Sequence, residues 1–193
     1  MNAPFSIPDT KPEIGNRLAS LAIDYLFSLI ITGIMTVPFF IQLINEGFSH
    51  FGKKIFPFNF TLFLYIIAGS VIGKAIYLCK DSFNGRSIAK RIFKFQVLDS
   101  KTGQVASPMK CLFRNAPTFL WIVELVMALV NPEKRLGDLM ASTRLAMYTP
   151  ETMPQPAIKI SQIILTFLCA LAFLSLLYGL MLTPFLIISN IAH

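Results

Sequence analysis

Charge is scarce in this sequence. Only 14% of its 193 residues are Asp, Glu, Lys or Arg, whereas a soluble domain carries about 25%. That leaves too little polar surface to keep a folded chain in water. Acid is scarcer than base: ten Asp and Glu stand against seventeen Lys and Arg, giving a formal charge of +7. Cysteine is rare as well. Cys79, Cys111 and Cys169 follow no motif spacing, so neither a disulfide framework nor a zinc site is implied, and two of them sit in apolar runs as small hydrophobes. His50 and His193 have no ligand set around them. No nucleophile–base pair or carboxylate pair stands out, so no enzyme, cofactor or metal is expected. Gly47 to Lys54 approaches a phosphate-loop spacing, but Lys54 replaces the required hydroxyl and no strand–loop–helix context surrounds it.

Apolar residues supply what charge does not. They make up 54% of the chain, with 18 Phe among them, and they gather into long runs. The first runs from Leu18 to Ile44, after a tail with Pro4, Pro8 and Pro12. It is too long for a signal core and no small-residue cleavage site follows, so it reads as an uncleaved span. Pro38 is its kink or exit point. The second run covers Phe58 to Cys79 and the last Ile160 to Pro184. The third, Leu112 to Val130, is interrupted by Arg114, Asn115, Pro117 and Glu124.

Between the second and third runs, alternation predicts a strand at Phe95–Leu98, a turn at Ser100–Gly103 and a return strand at Gln104–Ala106. Another strand is expected at Thr143–Tyr148. Asn131-Pro132-Glu133 has the pattern of a helix start. The expected fold class is an all-α integral membrane protein. It has about three full transmembrane helices, a re-entrant or fourth hydrophobic segment at 112–130, and a small cytoplasmic hairpin or strand element. The domains are then a tail at 1–13, a membrane domain at 14–148, and a linker with an extra transmembrane helix at 149–193.

Small residues mark helix-packing faces: Gly69 and Gly73 on the second run, and Ala172, Ser175 and Gly179 on the last. Lys80, Arg86, Lys90, Arg91 and Lys94 form a basic patch around Ile88 and Ile92, whose spacing suits a short interfacial helix. Anionic lipid headgroups attract such residues at about 1 kcal/mol each, and are a simpler partner than nucleic acid. Orientation follows the positive-inside bias. If 112–130 re-enters, only Lys53 and Lys54 of the seventeen basic residues face the far side. A full crossing would add Lys134, Arg135, Arg144 and Lys159 to them. Re-entry also spares Arg114 and Glu124 a passage through lipid, at about 2.5–3.5 kcal/mol apiece. The expected topology is therefore multi-pass with a cytoplasmic amino terminus, and the expected location is a cytoplasmic (inner) membrane.

Arg17 and Asp24 lie seven residues apart, on one helix face and about 10 Å apart along the axis. Charged groups inside a span are functional candidates by default. Here the sequence resembles the RDD family. Ile14-Gly15-Asn16-Arg17-Leu18-Ala19-Ser20 with Ile23-Asp24 resembles its opening motif. Gly85-Arg86-Ser87-Ile88-Ala89-Lys90-Arg91, continuing through Phe95 to Asp99, resembles its central basic segment. Arg114-Asn115 and Arg135-Leu136-Gly137-Asp138-Leu139-Met140-Ala141-Ser142-Thr143 resemble its closing motif. Ala89 and Gly137 depart from the family pattern, which usually has Gly and often His there.

The resemblance implies that Arg17, Asp24 and Asp138 are the namesake arginine and two aspartates. It also implies a small transporter exchanging a monovalent cation for protons. In that reading Arg114, Asn115, Glu124 and Arg135 are secondary polar groups. The competing reading makes the trio a structural clasp, and the chain an accessory or scaffold subunit of a larger membrane complex or a homo-oligomer. Both require Asp138 to reach the face where Arg17 and Asp24 lie.

Overall fold

A computed structural model describes residues 13–49, 60–117, 126–127, 129–130, 135–150 and 156–191. The tail, His50, Lys53, Lys54, Glu124, the expected cap at 131–133 and His193 lie outside them. Helix α1 spans Ile14–Ser49 and runs through Pro38 without ending there. Helix α2 is Phe60–Leu78 and the short α3 is Ile88–Ile92. Strand β1 is Phe95–Asp99, followed by helix α4 at Pro108–Asn115. Helix α5 is Leu136–Ala141, strand β2 is Thr143–Met147, and helix α6 is Ile160–Ile191.

Two helices, α1 and residues Ile160–Pro184 of α6, are long and apolar enough to cross a membrane. Helix α2, at 19 residues, is close to the roughly 30 Å hydrocarbon thickness at 1.5 Å per residue. Burial along α1 is inverted relative to a water-soluble helix. Its fully buried residues are Arg17, Ser20, Asp24, Ser28 and Thr36, all polar and at helical spacing, while Leu26, Leu29, Ile30 and Ile34 are exposed. In lipid this is the favourable arrangement, because only the protein interior can satisfy the polar groups.

The chain divides into two compact units. The unit made of residues 27–77 and 169–193 is helical. Within it α2 lies against α1 at its two glycines. A Cβ on Gly69 would stand 2.7 Å from the Met35 carbonyl oxygen, and one on Gly73 2.8 Å from the Thr32 Cα. Only glycine permits that approach, as the G-x-x-x-G spacing predicts. Phe39 and Tyr65 stack beside it at 5.6 Å. On the part of α6 in this unit the described buried residues are Ala170 and Leu174, whereas Ala172, Ser175 and Gly179 are exposed. The small-residue face of α6 therefore takes no part in packing among the described residues, and a Cβ at Gly179 would meet nothing within 4 Å.

The other unit comprises residues 1–26 and 78–168. At its centre β1 and β2 pair antiparallel, with Phe95 opposite Met147 and Asp99 opposite Thr143. A two-stranded sheet is marginal alone, and here both faces are covered. Phe95 and Val97 pack with Ala106, Cys111 and Leu145 on one face, and Leu98 packs with Ala146 on the other. Burial pushes the Cys111 thiol up to about 12, so it acts as a small hydrophobe. The expected return strand at Gln104–Ala106 contracts to one bridge, Leu98 to Val105; β2 takes the edge of β1 in its place.

Local sequence places the joints. Asn84 and Gly85 both adopt positive φ, at 58° and 66°, forming the turn that Asn-Gly predicts. A Cβ on Gly85 would lie 2.6 Å from the Val97 carbonyl oxygen. Ser87 and Ser107 cap α3 and α4 by accepting hydrogen bonds from the Lys90 and Lys110 amides.

Candidate functional site

The functional candidates converge within the second of these units, at the amino-terminal part of α1. Starting from α1, Arg17 faces Asp138 at 3.8 Å, and Asp138 accepts from Arg114 through both Nε and NH2. Arg114 NH1 reaches Asp81 at 3.2 Å, and Lys90 donates to Asp81 at 2.7 Å. Lys90 also reaches Asp24 at 3.3 Å, which returns the path to α1. Six alternating charges thus leave one helix and come back to it. Lys80 adds a further cation on Asp24 at 3.1 Å. Arg17, Lys90, Asp81, Asp138, Arg114 and Asp24 are all at least 97% buried.

Neutral donors complete Asp81 and Asp138. The Ser87 amide donates to Asp81 at 3.1 Å, and Asn115 Nδ2 donates to Asp81 at 3.2 Å and to the Leu78 carbonyl at 3.0 Å. The Thr143 hydroxyl donates to Asp138 at 2.9 Å, and the Arg135 amide at 3.2 Å, which fixes Asp138 in the first turn of α5. Burial alone would raise the Asp81 carboxyl, but Lys90 and Arg114 outweigh it and hold it well below the usual carboxylate range. Asp138 is lowered for the same reason: burial opposes, and Arg114 prevails through charge and hydrogen bonding. Both stay ionised at neutral pH.

Gly137 makes the junction between α4 and α5 possible. A Cβ there would collide with the Arg114 carbonyl oxygen, so the departure from the family pattern at this position accompanies a very close helix approach. Gly137→Ala is expected to cost about 1–3 kcal/mol through overpacking, read as a lowered Tm in detergent. Gly15→Ala, where a Cβ meets nothing within 4 Å, should leave the Tm within a degree or two. Equal Tm values for the two variants would refute the close contact.

The structure redistributes the predicted basic patch. Lys80 and Lys90 are expected at lipid headgroups, yet both turn inward to Asp24, and Lys90 is only 1% exposed. The reason is that α3 has the spacing of an interfacial helix but presents Ile88 and Ile92 outward and Ala89 and Lys90 inward. Arg86 stacks on the Tyr148 ring at 3.9 Å. Arg91 and Lys94 alone of the five are exposed. Arg135 is buried beside Asp138, and Glu124 lies outside the described residues.

Asp81, which accepts from Ser87, Lys90, Arg114 and Asn115, escapes the sequence reading. Its signal was its position: a rare carboxylate directly after an apolar run, six residues before a capping serine. Among the described residues no group of His, Cys, Asp and Glu side chains is arranged to hold a metal ion.

Long apolar helices, the first with its polar residues turned inward, and a buried ring of alternating charges define a membrane protein. The sequence matches the RDD family over residues 11–188, most of the chain and through most of α6, and the protein belongs to that family. No curated protein and no solved structure matches it.

Proposed function

We propose that this chain is a non-enzymatic scaffold of the bacterial cytoplasmic membrane, multi-pass with a cytoplasmic amino terminus, and that its ionic ring is a clasp. One observation carries the reading: every carboxylate in the ring is already matched by two cationic side chains. An exchange site needs an acid that gives up its partner to a cation or proton, and here each acid is held by fixed internal cations. The approach of α5 to α4 at Gly137 also supports re-entry of the segment between them, since its two ends meet. The exposed face of Ala172, Ser175 and Gly179 suits close docking of a helix from a partner subunit or a second copy.

A second reading, exchange of a monovalent cation for protons, is favoured by Asp24 lying within the first apolar helix. One experiment separates them. In inside-out vesicles, the parent protein is expected not to dissipate a pH gradient on cation addition, and Asp24→Asn is expected to lower the Tm and the recovery of cross-linked partners. If the parent dissipates the gradient and well-folded Asp24→Asn does not, the scaffold reading fails and exchange replaces it.

A further inference from the structure

We propose that a cavity at the amino-terminal ends of α4 and α6 binds a phosphate group. The cavity encloses about 190 Å³, several times the roughly 30 Å³ share of one water. Ser107, the cap of α4, borders it on one side, and Lys159 and Gln162 at the start of α6 border it on the other. The first turn of a helix leaves backbone N–H groups without intrahelical partners and carries a partial positive charge. At these two ends Ser107 caps the Lys110 amide, Pro108 has no N–H, and the Gln162 and Ile163 amides donate to the Lys159 carbonyl, so the cavity meets the partial positive charge of both helices and the exposed Lys159 ammonium rather than free amides. Among the described residues no Asp or Glu lines it.

Ser82 supplies the independent observation. It lines the same cavity, is 4% exposed, and its hydroxyl has no hydrogen-bond partner among the described residues. A buried hydroxyl left unpaired costs about 1–3 kcal/mol, and a phosphate oxygen in the cavity would satisfy it. Ile158 and Ile163 form apolar wall, and α6 begins its apolar run at Ile160. The cavity therefore lies where lipid headgroups lie, although free phosphate shares the chemistry. This proposal stands apart from the ionic ring, none of whose side chains lines the cavity.

The test uses the full chain in nonionic micelles and two probes. Phosphatidylglycerol is titrated by native mass spectrometry, with diacylglycerol as the phosphate-free control, and inorganic phosphate is titrated alone by calorimetry. Ser82→Ala removes a hydroxyl with no hydrogen-bond partner among the described residues, and Lys159→Ala removes an exposed side chain, so both should keep the parental Tm. Each is expected to weaken binding about tenfold, the loss of one charge-assisted hydrogen bond. Arg91→Ala, exposed and outside the cavity, should bind as the parent does. Phosphatidylglycerol binding with no response to inorganic phosphate names the headgroup as ligand, and the reverse names the free anion. The proposal is overturned if neither probe binds, if the Ser82→Ala, Lys159→Ala double variant binds as the parent, or if Arg91→Ala loses as much.

Discussion

Arg114→Met is expected to lower unfolding free energy by about 3–5 kcal/mol, the usual cost of stripping one partner from a buried ion pair. Folded proteins have only about 5–15 kcal/mol in total, so much of the variant should be unfolded or degraded in cells. The size of the effect follows from the position of Arg114 between two acids. It links Asp81 to Asp138, and its removal leaves both carboxylates short of a cation in a place that water does not reach. Arg114→Lys keeps the charge but loses the planar fork that reaches both acids at once, and should recover less than half of the loss. Chemical unfolding in micelles checks both. A loss under about 1 kcal/mol for Arg114→Met would mean that the ring carries no weight in stability.

Acidification should unfold the protein steeply, with little change in Tm between pH 7 and 5 and a collapse below about pH 4. Asp81 and Asp138 have lower proton affinity in the folded chain than the ordinary carboxylate value of 3.8. The unfolded chain therefore binds more protons at acid pH. The stability from both groups is fully present above that ordinary value and is lost as pH falls toward the folded-state values. Every tenfold change in proton affinity amounts to about 1.4 kcal/mol. Asp138→Asn should be less stable at pH 7 and yet show a shallower acid limb. A limb as steep as the parent's would assign the acid sensitivity to other groups.

Much of this could be read from the residues. Low charge and long apolar runs pointed to lipid, and two of the expected spans reappear as α1 and α6. The Asn84-Gly85 turn, the Phe95 strand, its partner at Thr143 and the close approach at Gly69 and Gly73 followed from local chemistry. The grouping of Arg17, Asp24 and Asp138 came from the family resemblance instead; in the structure Arg17 meets Asp138 directly and reaches Asp24 through intermediaries. Lys90 was misread because composition cannot tell a basic residue on a helix from one under it. In an aqueous protein the isoleucines of α3 would face inward; in a membrane protein they face out, and the lysine takes the interior. Asp81 was passed over because it belongs to no periodic pattern. Its role comes from partners on α3 and α4, nine and 33 residues away, and only tertiary contact shows them.

The inverted stripe on α1 also constrains how the protein is made. Asp24 leaves the ribosome 66 residues before Lys90, an interval of roughly 3–13 s at 5–20 residues per second. Until Lys80, Lys90 and Asp138 follow, the first helix holds its arginine and aspartate without these partners. Truncations before Lys80 are therefore expected to leave the polar stripe of α1 unmatched and the product short-lived in cells.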